Sequence, residues 1–129
     1  MAVDKVQYWL ELATYDLETA QDMYNAHRWL YVGFMCHQSI EKILKAYWSK
    51  IKPDDVPYIH NLLKLAQSTN LTKEMTDEQL DLLSELLPLN IECRYPDYKR
   101  NLSMMLQENN CAELIEKSKE LFLWIKNKL

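Results

Sequence analysis

One glycine, Gly33, stands among 129 residues. Sheet-rich folds reverse direction at many glycine-dependent turns, so this scarcity points to long helices with short connections. It also excludes a glycine-rich phosphate loop, whose backbone must approach the phosphates closely. Three cysteines, Cys36, Cys93 and Cys111, lie far apart with no CxxC pair. A disulfide framework or thiolate metal site is not expected, and reduced, mostly buried thiols are. No apolar run reaches the roughly 18 residues of a membrane span. Asp4 and Lys5 leave no cleavable apolar segment at the start, so a cytoplasmic location away from membrane is expected. Basic excess is missing too: the net charge is −4, whereas a non-specific nucleic-acid binder is usually basic.

Apolar residues make up 48% of the chain, enough at this length for one core and one domain over residues 1–129. Val6, Trp9, Leu10, Ala13, Leu17, Ala20 and Tyr24 recur at steps of three and four and predict a helix over about residues 4–25. After a break at 26–29, a second helix is predicted over about 30–50, with Gly33 inside it. A glycine there costs roughly 1 kcal/mol against alanine, which a close helix–helix approach would offset. Pro53 and Pro57 end that run, and a short helix follows His60. Thr76 and Gln79 have the form of a capping box opening a fourth helix. Its stripe is Leu80, Leu83, Leu86, Leu87 and Ile91, with Pro88 expected to kink it or tighten a turn and Pro96 to end it. A loop over 98–110 and a last helix over about 111–128 complete an all-α, up-and-down four-helix bundle with an additional short helix.

Candidate chemistry is sparse. His27, His37 and His60 show no metal-ligand spacing, and His37 with Glu41 reads as an intrahelical or solvent-facing polar pair. No metal or cofactor is expected. Neither Ser39 nor Ser84 lies on a nucleophile elbow. The densest candidate is Arg94-Tyr95-Pro96-Asp97, followed by Tyr98, Lys99 and Arg100. Arginine, tyrosine and lysine beside a helix end suit phosphate or base recognition. An arginine in that place also caps free helix carbonyls.

Taken in order, several segments resemble the HEPN domain family (higher eukaryotes and prokaryotes nucleotide-binding). They are Trp9, Ala13, Asp16, Leu17 and Ala20 in the first helix, then the run Phe34-Met35-Cys36-His37-Gln38-Ser39-Ile40-Glu41-Lys42-Ile43-Leu44-Lys45-Ala46. His60-Asn61-Leu62 and Arg94-Tyr95-Pro96-Asp97 follow, the latter similar to one large branch. The resemblance covers almost the whole chain. It implies a four-helix bundle that forms homodimers, in many cases acting beside a minimal nucleotidyltransferase as a toxin–antitoxin pair. Other members are metal-independent ribonucleases using an arginine, a polar residue after it and a histidine a few residues on.

This chain departs from that ribonuclease pattern. Tyr95 follows Arg94, positions 99 to 101 read Lys99, Arg100 and Asn101, and no histidine occurs after His60. Histidine is the natural proton shuttle near neutral pH, whereas lysine and arginine stay protonated. The leading expectation is a non-catalytic homodimer that binds a nucleotide or RNA, or pairs with a nucleotidyltransferase. Its ligand-facing residues would be Arg94, Tyr95, Asp97, Tyr98 and Lys99, with His60, Gln38, Glu41 and Lys42 lining or buttressing the groove. The bland readings beside it make Glu41 and Lys42 solvated helix residues and His60 a helix-start residue bonded to nearby backbone. The alternative function is a ribonuclease with a degenerate motif, in which Arg94, Tyr98 and Lys99 hold a phosphodiester. A purely structural protein, with Arg94 only capping its helix, is the third.

Overall fold

The computed structural model describes residues 4–52, 55–90 and 106–129. All regular structure among them is helical: α1 Lys5–Asn25, α2 Trp29–Ile51, α3 Leu62–Ser68, α4 Asp77–Leu86 and α5 Glu108–Lys126. Two 3₁₀ turns, Leu71–Lys73 and Leu87–Asn90, follow α3 and α4.

Asp4 starts α1 by accepting a hydrogen bond from the Gln7 amide at 3.0 Å, which satisfies an otherwise free donor of the first turn. Three residues link α1 to α2. His27 among them adopts φ 61°, the left-handed conformation that reverses the chain in little space. The two helices therefore run antiparallel. The Ser39 hydroxyl donates to the Ala13 carbonyl at 2.8 Å, and the Lys45 ammonium lies 5.3 Å from the centre of the Trp9 ring.

α5 runs parallel to α2. The Cys111 thiol reaches the Trp29 carbonyl at one end, and Lys50 donates to the Lys128 and Leu129 carbonyls at the other. Glu74, just before α4, pairs with Lys128, just after α5, so α4 runs opposite to α5. The predicted up-and-down bundle is what forms.

α2 sits at the centre. Val32, Cys36, Ile40, Ile43, Leu44 and Tyr47 are buried on successive faces, the pattern of a helix enclosed by others rather than floated on a surface. Gly33 fits that place: a Cβ there would lie 3.1 Å from both Leu89 and Leu106. The expected close approach exists, but leucine side chains rather than a neighbouring helix backbone fill the gap.

α4 opens with the predicted capping box, Thr76 and Gln79 each accepting from the other's backbone amide. Thr76→Ala is expected to lower stability by ~1 kcal/mol, measured by urea unfolding. Pro88 tightens the chain into the Leu87–Asn90 turn instead of kinking a continuous helix. α5 begins at Glu108, three residues before its predicted start, because Glu108, Asn109 and Asn110 form an exposed first turn that apolar periodicity does not register. Burial pushes the thiols of Cys36 and Cys111 up to about 12 and about 11, which keeps both protonated and unreactive. Cys93, Ile91 and the predicted helix end at Pro96 lie outside the described residues. No described helix is long and apolar enough to cross a membrane.

Candidate binding site

Successive turns of α2 place His37, Glu41 and Lys45 at steps of four, on one face. That face is not solvated. Glu41 is 3% exposed, Lys45 is 4% exposed and His37 is fully enclosed. The reading of Glu41 as a solvated helix residue is thereby corrected, and the His37–Glu41 pair is intrahelical and buried rather than solvent-facing. Local spacing does not reveal that other helices surround α2.

Glu41 is the hub. One carboxylate oxygen meets His60 Nδ1 at 2.9 Å, and the other accepts from Lys45 Nζ at 3.1 Å. His37 Nδ1 lies 3.9 Å from the first oxygen. An ionised carboxylate only accepts, so the Glu41 contact fixes the proton on Nδ1 of His60. His60 Nε2 is left for other partners, and the side chain is 46% exposed. Tyr58, 92% exposed, meets the His60 ring edge-on at 5.4 Å between centroids. His60 therefore does not bond nearby backbone to start α3. Asn61 does that, accepting from the Lys64 amide.

His37 differs from His60. Among the described residues, neither of its ring nitrogens has a hydrogen-bond partner. Burial lowers its pKa to about 4, an effect opposed by the Glu41 carboxylate and the His60 backbone and reinforced by the charges of the His60 ring and Lys45. It is neutral at physiological pH.

The other two candidates on α2 turn elsewhere. Lys42 bonds Asp16 of α1. Gln38 donates to Asn90 at 2.7 Å, four residues before Arg94 in sequence. Of the predicted ligand-facing residues, Glu41 and His60 thus meet directly, while Gln38 and Lys42 brace α2 against its neighbours. Arg94, Tyr95, Asp97, Tyr98 and Lys99 lie outside the described residues. His37 and Lys45 are the members that sequence reasoning passed over as functional. The repeated four-residue step through an otherwise apolar helix was the signal.

Clefts open on the surface formed by the described residues. One of about 510 Å³ separates α4 from α5, with Glu78, Asp81, Glu85 and Glu120 facing only Lys117. Four carboxylates against one ammonium repel a phosphate. Another, about 330 Å³, lies beside Trp9 and is lined by Lys5, Tyr8, Trp9, Asp55 and Val56. Among the described residues, no group of three or more His, Cys, Asp or Glu side chains has metal-holding geometry.

The HEPN domain model matches residues 6–128. The chain belongs to the HEPN domain family. Its fold is also similar to the crystal structure of TT1696 from Thermus thermophilus, with a TM-score of 0.83 at 20% identity, over 98% of this chain and 100% of that one. No curated protein matches.

Proposed function

We propose that this HEPN domain is a non-catalytic, homodimeric module that binds a nucleotide or RNA through phosphate. It acts in the cytoplasm and is suited to pairing with a minimal nucleotidyltransferase in a toxin–antitoxin-like system. The observation that carries this reading is the Glu41-held His60, half-exposed beside Tyr58. A fixed imidazole with its second nitrogen available donates to a phosphate oxygen when protonated, and an adjacent tyrosine offers a ring to a base. Arg94, Tyr95, Asp97, Tyr98 and Lys99 complete the ligand-facing edge in this reading, contributed by both subunits.

Fluorescence anisotropy with a labelled single-stranded RNA tests it. His60→Ala and Arg94→Ala are each expected to weaken binding about tenfold or more, as loss of a ~1.5–3 kcal/mol hydrogen bond to a charged group implies. Light scattering is expected to give a mass twice the 15.4 kDa of one chain. The Glu41–His60 contact also favours a second reading, because a carboxylate-oriented imidazole is how a proton-transferring base is held. Metal-independent cleavage of the RNA, lost in Arg94→Ala, would establish that ribonuclease reading and overturn the non-catalytic one.

A further inference from the structure

We infer that the cleft formed by Lys5, Tyr8, Trp9, Asp55 and Val56 is a pocket for the base of a nucleotide. This rests on the nucleotide-binding reading above and assigns the base a place of its own.

The walls are aromatic. Tyr8 and Trp9 meet edge-to-face, with ring centroids 5.2 Å apart and planes at 75°. They form a corner in which a flat heterocycle stacks on one ring and abuts the other. The Lys45 ammonium lies over the Trp9 ring, 5.3 Å from its centre, and that ammonium is itself held by Glu41. A platform pinned by a buried ion pair loses little freedom when a ligand stacks on it. The volume, about 330 Å³, is at the small end of ligand pockets and suits a single heterocycle more than an extended chain.

The rim is polar and two-signed. Lys5 Nζ bonds one carboxylate oxygen of Asp55, and that contact holds the Asp55 carboxyl below its usual range, so it is ionised near neutral pH. The ammonium offers donors and the carboxylate acceptors. A nucleobase carries a donor and an acceptor side by side on one edge, which answers both rim groups. A hydrocarbon or phenyl side chain from a protein partner answers neither. The same Lys45–Glu41 pair that meets Trp9 also holds His60, so the pocket and the phosphate-facing imidazole share one support.

The test is a set of nuclear magnetic resonance titrations of the whole protein, read at the assigned indole signal of Trp9 and the imidazole signals of His60. The probes are adenosine, which has a base and no phosphate, and ribose 5-phosphate, which has the reverse. Adenosine is expected to shift the Trp9 indole, and ribose 5-phosphate to shift His60 alone. Tyr8→Ala, a change at a half-exposed ring, is expected to weaken adenosine binding at least about fivefold while leaving the ribose 5-phosphate response intact. Asp55→Ala is expected to weaken adenosine binding as well. If adenosine leaves Trp9 unmoved, or binds Tyr8→Ala as tightly as the unaltered protein, the pocket assignment is overturned, and a ribose 5-phosphate shift at His60 would leave the phosphate edge standing. A Trp9 shift with adenosine but no His60 response to ribose 5-phosphate upholds the pocket and removes the edge.

Discussion

Glu41→Ala is expected to destabilise the domain by about 3–5 kcal/mol, the cost of removing one partner from a buried ion pair. The alanine would leave a buried Lys45 ammonium without its carboxylate, facing the Trp9 ring. It would also release His60 from its fixed orientation. Much of the loss comes from stranding the ammonium rather than from the net worth of the bond, so a double variant, Glu41→Leu with Lys45→Met, is expected to recover most of it. Urea unfolding of the unaltered protein, Glu41→Leu, Lys45→Met and the double variant measures the coupling directly. The double variant would also separate stability from binding: refolded but without an orienting carboxylate at His60, it should bind RNA as weakly as His60→Ala. If Glu41→Ala costs less than about 1 kcal/mol, the hub assigned to Glu41 is wrong.

His37 sets the second large effect, a loss of stability on acidification. In the unfolded chain it takes a proton near its ordinary value of 6.5, whereas in the folded protein it does so only near about 4. The unfolded state therefore binds more protons between these limits. The stability contributed by keeping His37 neutral is fully present above about pH 6.5, declines as pH falls, and is gone below about 4. The span corresponds to a loss on the order of 3 kcal/mol. His37→Leu removes this component, so the difference in unfolding free energy between variant and unaltered protein should move in the variant's favour across that window. A difference that stays flat between pH 6.5 and 4 would show that His37 titrates normally.

The bundle was readable from the chain because its signals are local. Steps of three and four marked α1 and α2, Thr76 with Gln79 marked the start of α4, and Pro88 marked a tightening that the structure expresses as a 3₁₀ turn. The early start of α5 was not readable, since its first turn contributes polar side chains to solvent and nothing to the core. The candidate site was half-legible. Glu41 and His60 were singled out individually, but their contact joins positions 19 residues apart, across a proline-containing connection that no periodicity describes. The burial of His37, Glu41 and Lys45 was hidden for a related reason. Charged side chains on a helix ordinarily face water, and only the placement of α2 among its neighbours reverses that.

The central claim is that the Glu41-held His60 marks a binding edge that takes RNA without cleaving it. It is tested most directly by titrating the isotope-labelled protein with a short single-stranded RNA while recording the three imidazole resonances. The His60 signals are expected to shift in a saturable manner, those of His27 in the α1–α2 connection are not, and the RNA is expected to be recovered intact. Saturable RNA binding that leaves His60 unmoved, or RNA recovered as fragments in the absence of metal, would contradict it.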